Sequence, residues 1–281
     1  MARTVTPESY RRISLAAVVF LCVITLSGAA VRLTGSGLGC SDWPNCEDKR
    51  FVEATNANQA IEQVNRLFTG VVAVVIVAAV LGSLVRRPRR RDLVWLSVGL
   101  AAGIIGQIMV GGVVVLTDVH PAAVQLHFVL SMVMIWNAVV LHRRAGDADG
   151  YRRRRVVPAA MQRWCRALVV LAGAAILTGT VVTGTGPHGG DEDARRFGFQ
   201  ITDVARVHSI TVILTLATTL WVIRLNHRST GRDRLDDPLT LLLYALVFQG
   251  IVGYTQYFSD VPVALVAVHI VGAMAVWITV L

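Results

Sequence analysis

Long apolar stretches alternate with short polar and basic ones along the whole chain. Each apolar run approaches the roughly 20 residues that a helix needs to cross a bilayer. Backbone groups in lipid must be hydrogen-bonded within the protein, so such runs form helices or closed barrels, and runs without alternating polar positions exclude the barrel. The pattern predicts an all-α integral membrane protein with eight transmembrane helices, near residues 13–34, 61–85, 93–116, 121–141, 167–184, 203–223, 239–257 and 262–281.

The basic residues lie mostly on one side of these predicted helices. Of 27 Lys and Arg residues, 20 precede the first helix or fall between helices 2 and 3, 4 and 5, or 6 and 7. Cytoplasmic loops of membrane proteins have an excess of Lys and Arg. We therefore expect both termini in the cytoplasm and the chain in the cell (plasma) membrane. The net charge of +9 reflects this topology, and we expect no nucleic-acid partner.

The second half of the chain repeats the first. LSGAAVRLTGSGLGC at residues 26–40 is echoed by LTGTVVTGTGPHGGD at 177–191, and Gln107 recurs 142 residues later as Gln249. Each half has four predicted helices, so both copies keep the same orientation and are related by an axis along the membrane normal. We expect two parallel-repeat four-helix bundles. Their predicted bounds are an N-terminal half at 1–145, a basic cytoplasmic linker at 146–166 and a C-terminal half at 167–281.

One polar residue lies at a similar depth in each even-numbered helix: Asn65, His127, His208 and His269. Each is about 5–7 residues into its helix, or roughly 10 Å below the outer surface. Ionisable side chains inside a membrane need a partner and are candidates for functional sites. Two histidines at equal depth on facing helices, His208 and His269, can hold a haem through one axial ligand each. They could instead bond backbone carbonyls of neighbouring helices. A zinc site is also possible, although no second pair of ligands lies nearby in sequence.

The first half differs because His127 has no histidine partner. Asn65 stands at the repeat position of the second ligand, and an amide is a poor iron ligand. A haem held there would be five-coordinate through His127, with one face open for chemistry. Glu62 lies one turn before Asn65 on the same helical face. It is either an interfacial residue, in water or paired with Arg66, or a proton donor or acceptor, or a group that orients a substrate.

The four cysteines fall into two groups. Cys40 and Cys46 share the first outer loop, on the side of the membrane where disulfides persist, so we expect a structural disulfide between them. Cys22 and Cys165 lie within or at the edge of predicted helices, and we interpret them as buried small apolar residues.

The motifs around these residues resemble those of the haem A synthases, membrane enzymes that complete haem A for terminal oxidases. The resemblance spans nearly the whole chain, and the motifs occur in order at matching depths. The family usually has IExxHR where this chain has IEQVNR, so Asn65 replaces a histidine. The motifs are AVRLTGSGLGCSDWPNC in the outer loop, IEQVNR at 61–66, LHFVLSM around His127, and the two later histidines.

The resemblance implies an oxidoreductase that converts the C8 methyl of haem O to a formyl group by successive hydroxylations, giving haem A. It implies a permanent haem b on His208 and His269, and haem O as substrate in the first half. Glu62 matches the glutamate that the family needs, and Cys40–Cys46 match its outer-loop pair.

Other expectations concern partners. The partners would be haem O and haem A, membrane lipid, the farnesyltransferase that makes haem O, and an electron donor. Haem propionates would bind Arg residues near the outer interface, with Arg32, Arg66 and Arg206 as candidates. The alternative function is a non-enzymatic di-haem membrane cytochrome for electron transfer or haem carriage.

Overall fold

The protein is all-helical. The computed structural model describes residues 4–47, 50–52, 54–150, 158–228 and 235–281, and within these ranges no strand forms beyond two isolated bridges. Each helix is long and apolar enough to cross a membrane, so the eight predicted apolar helices are confirmed. They are α1 (Pro7–Leu33), α2 (Ala57–Val85), α3 (Arg91–Leu116), α4 (Pro121–Ala145), α5 (Ala159–Thr185), α6 (Ile201–His227), α7 (Asp236–Phe258) and α8 (Val263–Val280).

Side-chain caps define where the first two helices begin. The Thr6 hydroxyl accepts the Ser9 N–H at 3.2 Å, and Pro7 takes a first-turn position of α1, where no N–H is needed. The Asn56 side chain accepts the Gln59 N–H at 2.9 Å and starts α2 at Ala57. This start places the polar segment 62–66 in the second and third turns of α2.

The fifth helix begins earlier than its apolar run. The apolar run was predicted at 167–184, and α5 starts eight residues earlier, at Ala159, within the stretch 146–166 that was predicted as a linker. Arg163 and Arg166 are exposed in its first turns. Long basic side chains extend from a helix end toward water, so they interrupt the apolar pattern without interrupting the backbone helix.

The chain divides into two compact units. Unit 1 comprises Met1–Tyr151 and His188–Arg196. In it α1 packs against α2 and α4, and α3 packs against the same two helices, which closes a four-helix bundle. Its fully buried side chains include Tyr10, Ile76 and Ile135.

The segment His188–Arg196 joins unit 1 through a close backbone contact. The Gly37 N–H donates to the Gly190 carbonyl at 2.7 Å. A Cβ on Gly37 would lie 2.8 Å from that oxygen, so the contact requires glycine at this position.

Unit 2 comprises Arg152–Pro187 and Phe197–Leu281. Here α5 packs against α6 and α8, and α7 packs against the same two helices. Its apolar core contains Leu168, Val222, Leu242 and Val276. The order of helix packing is therefore the same in both units.

Candidate functional site

The two histidines of unit 2 lie together. His208 on α6 and His269 on α8 have ring centroids 6.4 Å apart, with their planes at 73°. Two imidazoles that share a metal ion through bonds of about 2 Å have their ring centroids roughly 6 Å apart when they lie on opposite sides of it. Within the described ranges, no group of three or more His, Cys, Asp or Glu could hold a metal ion. A pair of imidazoles at this separation could hold an iron whose other positions a porphyrin would fill.

Neighbouring groups hold the His208 ring in place. Its Nδ1 lies 3.2 Å from the Thr178 hydroxyl, which also donates to the Ala175 carbonyl at 3.1 Å. A Cβ on Gly179 would lie 3.0 Å from the Cε1 of His208, so this ring packs directly on α5. A hydrogen bond at Nδ1 fixes the tautomer and leaves Nε2 for a metal.

His269 is held through its backbone and a glycine. Gln249 on α7 donates its Nε2–H to the His269 carbonyl at 2.8 Å. A Cβ on Gly253 would lie 3.1 Å from the Cε1 of His269. The His269 Nδ1 is buried and makes no hydrogen bond in the described part of the chain.

His127 in unit 1 has the same surroundings as His269. Gln107 on α3 donates to the His127 carbonyl at 3.2 Å, and a Cβ on Gly111 would lie 3.4 Å from the His127 Cε1. The His127 Nδ1 is also buried and without a hydrogen bond among the described residues. A neutral imidazole with a buried, unused nitrogen fits an iron ligand.

Asn65 in unit 1 has the same kind of partner as His208. The Ser27 hydroxyl on α1 lies 2.7 Å from the Asn65 Oδ1, and it also contacts the Ile24 carbonyl at 3.0 Å. Ser27 and Thr178 occupy equivalent places in the two repeated segments, so a hydroxyl on the first helix of each unit faces the residue at this position.

Glu62 is buried and both of its carboxylate oxygens are bound. Oε2 accepts the Cys40 N–H at 2.8 Å, and Oε1 accepts from Arg66 Nη2 at 2.6 Å and from its Nε at 2.9 Å. Only 7% of the Glu62 side chain is exposed. The sequence left open whether Glu62 is in water, paired with Arg66, or part of the chemistry. In the structure Glu62 is paired with Arg66, and its carboxylate is buried away from water.

The loop at residues 40–46, which we call the disulfide loop, lies against α2 and α3. Its ends, Cys40 and Cys46, are paired in the structure and fully buried. The Arg66 guanidinium donates through Nη1 to the Asp42 and Asn45 carbonyls at 3.1 and 3.0 Å. Arg66 therefore joins Glu62 to this loop.

An aromatic side chain of the disulfide loop covers one end of α3. A Cβ on Gly112 would lie 2.9 Å from the Trp43 indole. Gly112 follows Gly111, whose near neighbour is the His127 ring. The disulfide loop is thus held beside the helix that contacts His127.

The three arginines predicted to bind propionates have different surroundings. Arg66 is engaged as described above. Arg206 is largely exposed, and its Nη1 lies 3.4 Å from the Asp203 carboxylate. Arg32 lies in the last turn of α1, where Arg196 is a charged neighbour.

The sequence missed the groups that hold the candidate ligands. Ser27, Thr178 and Gly179 lie in the two segments that the repeat aligns, so their positions were visible but their contacts were not. The contact between Trp43 and Gly112 could not be predicted, because the two residues are far apart in sequence and neither residue type indicates it.

Comparison with known proteins identifies the family. The model of the COX15-CtaA family, described as a cytochrome oxidase assembly protein, matches residues 11–187. The chain belongs to this family. The matched segment includes Glu62, Asn65 and His127 and ends before His208 and His269. The resemblance inferred from the motifs is confirmed.

Several relatives of the chain are named heme A synthase. The one from Exiguobacterium sibiricum is 28% identical over 167 residues, which are 59% of this chain and 56% of that protein. The one from Bacillus pumilus is 28% identical over 150 residues, 53% of this chain and 48% of that protein. The one from Listeria welshimeri is 25% identical over 174 residues, 60% of this chain and 57% of that protein. The chain thus spans about half the length of these relatives.

Proposed function

We propose that this protein is a haem A synthase, an oxidoreductase that converts the C8 methyl of haem O to a formyl group by successive hydroxylations. The single observation that supports this most is the pair His208 and His269, whose rings lie 6.4 Å apart on two helices of unit 2. Membership of the family and the names of its relatives point to the same activity.

We propose a resident haem b between His208 and His269. A haem with two imidazole ligands supplies one-electron transfer. The chain contributes the orientation of the ligands, because Thr178 and Gly179 fix the His208 ring and Gln249 fixes the backbone of His269.

We propose that unit 1 takes haem O as its substrate, with His127 as the iron ligand. Burial of the His127 Nδ1 and the close approach of Gly111 to the ring support this assignment. Asn65 does not ligate iron in this proposal, so one face of the substrate iron stays open.

Glu62 is the proposed acid–base or substrate-orienting group of unit 1. The Cys40 N–H and Arg66 hold its carboxylate in one position, and general acid–base groups need such positioning. Arg66 is then a positioning residue, and Arg32 is the arginine candidate for a propionate.

The finer features of the architecture are part of the proposal. The two bundles are parallel repeats, the first for substrate haem and the second for haem b, with both termini in the cytoplasm of a plasma-membrane protein. The matching contacts of His127 and His269 support the repeat, and the basic loops support the topology. Cys40 and Cys46 form a disulfide on the outer side. Haem O from its farnesyltransferase, an electron donor and membrane lipid are the proposed partners.

The test is pigment analysis after co-expression with a source of haem O. Haems extracted from the membranes are separated by chromatography, and we expect haem A to form only when this chain is present. Haem b bound to the purified protein without any haem A would instead indicate the alternative, a non-enzymatic di-haem cytochrome.

A further inference from the structure

The surroundings of Asn65 and His208 differ in the free space beside the glycine that faces each residue. In unit 2, a Cβ on Gly179 would lie 3.0 Å from the His208 ring. In unit 1, Gly28 occupies the equivalent place on α1, and no atom lies within 4 Å of the position where its Cβ would stand. Asparagine is shorter than histidine, so the space that the imidazole ring fills in unit 2 is open beside Gly28.

The walls of this space have polar groups. The Ser27 hydroxyl and the Asn65 amide are 2.7 Å apart and lie on adjacent helices. One of them, the amide, can present a hydrogen-bond donor or acceptor to a small molecule. Neither is a good iron ligand itself, because iron prefers imidazole and softer donors to an amide.

We propose that unit 1 contains a small-ligand pocket bounded by Ser27, Gly28 and Asn65. This pocket admits a ligand the size of imidazole or smaller to the open face of an iron held by His127. Its ligand class is small nitrogen or oxygen donors and diatomic molecules that bind haem iron and accept or donate one hydrogen bond. This inference rests on the proposed function, because it requires haem in unit 1.

The first experiment titrates the purified, haem-loaded protein with imidazole. The protein is purified from cells that also make haem O, and its optical and EPR spectra are recorded in the oxidised state. We expect a high-spin signal that is absent in His127→Ala and that imidazole converts to low-spin. Carbon monoxide, added after reduction, should bind to the same haem. The haem between His208 and His269 should respond to neither probe.

Substitutions at Gly28 and Asn65, with a control at Gly70, test whether the ligand enters beside Gly28. Gly28→Leu should fill the space and weaken imidazole binding by about tenfold or more, which corresponds to 1.4 kcal/mol or more. The matched control is Gly70→Leu on α2, because Gly70 is exposed and also has no atom within 4 Å of its Cβ position. If Gly28→Leu is not stable, Gly28→Ala tests the same space with a smaller group. Asn65→His should give a low-spin haem without added imidazole.

The outcomes separate this inference from the proposed function. A His127-dependent high-spin haem that does not respond to imidazole, or an equal imidazole affinity in Gly28→Leu and Gly70→Leu, would overturn the pocket and leave the proposed function standing. If no haem depends on His127, the substrate site in unit 1 is wrong, and the pocket is overturned with it.

Discussion

At the scale of single residues, Glu62 has a structural role that its contacts show and a proposed catalytic role in proton transfer. It anchors the disulfide loop through the Cys40 N–H, and it pairs with Arg66 inside the protein. A proton-transfer group must give up or gain a charge during turnover, whereas an anchor needs only a hydrogen-bond acceptor.

The variant Glu62→Gln separates these two roles. The amide oxygen can still accept the Cys40 N–H, but the side chain can no longer exchange a proton. We expect haem content to stay near that of the wild type and haem A formation to fall by on the order of 100-fold or more, the size of typical acid–base contributions. Glu8→Gln is the control, since Glu8 forms the same type of pair with Arg12 on an exposed helix face. Wild-type haem A formation in Glu62→Gln would remove the catalytic role.

The histidines of unit 2 make a second prediction at this scale. His208→Ala and His269→Ala should each remove the low-spin haem b signal in optical and EPR spectra, because one imidazole cannot maintain two axial bonds. His227→Ala at the end of α6 should leave that signal unchanged. A full low-spin spectrum in either site variant would show that these rings do not share one iron.

These histidines could be recognised from the sequence as candidate site residues, because an ionisable residue inside an apolar run is costly and therefore conspicuous. The groups that fix their orientation could not. Ser and Thr in membrane helices usually bond the carbonyl of their own preceding turn, as Thr178 does with Ala174 at 2.9 Å. Only the packing of two helices shows that Thr178 also faces His208.

At the scale of elements, the disulfide loop forms no helix or strand, and it is held at several points. Its two ends are the paired cysteines, Glu62 and Arg66 bind its backbone, and Trp43 packs on Gly112 of α3. Sequence spacing indicated the pairing, but the contacts with α2 and α3 depend on how the helices pack.

The pairing of Cys40 with Cys46 can be measured directly. Mass spectrometry of the non-reduced, alkylated protein should find one linked peptide that contains both residues, and alkylated thiols at Cys22 and Cys165. Both of the latter cysteines are free and half-buried. Alkylation of all four cysteines without a reductant would contradict the pairing.

The attachment of Trp43 to α3 predicts how the loop responds to a small change. In Gly112→Ala the new methyl would lie 2.9 Å from the indole, so the Trp43 side chain must move away from α3. We expect dithiothreitol to reduce the Cys40–Cys46 bond several-fold faster in this variant. Thiol–disulfide exchange requires the attacking thiolate to reach a sulfur atom of the bond, and Trp43 would shield it less. Gly70→Ala, whose methyl meets no neighbour, is the control. Equal reduction rates in the two variants would mean that Trp43 does not protect the bond.

At the scale of the whole molecule, the number of helices and their alternation could be predicted because lipid permits few backbone structures. The ends of the helices could not, since hydropathy reports only the part of a helix that contacts lipid. The early start of α5 at Ala159 is an example. The membership of residues 188–196 in unit 1 was also not visible, because it depends on the Gly37–Gly190 backbone contact.

The orientation of the chain in the membrane is the last prediction. If the eight apolar helices of the described ranges all cross the membrane, both ends of the sequence lie on one side, and we expect that side to be the cytoplasm because 20 of 27 Lys and Arg residues fall there. The side of the membrane is measured with one introduced cysteine at a time, in a protein that also carries Cys22→Ala and Cys165→Ala. The remaining native cysteines, Cys40 and Cys46, are paired and do not react with maleimide. Asp193→Cys, at an exposed position after α5, should be labelled in intact cells by a membrane-impermeant maleimide. Ala148→Cys, exposed after α4, should be labelled only after the membrane is opened, and its labelling in intact cells would reverse the proposed orientation.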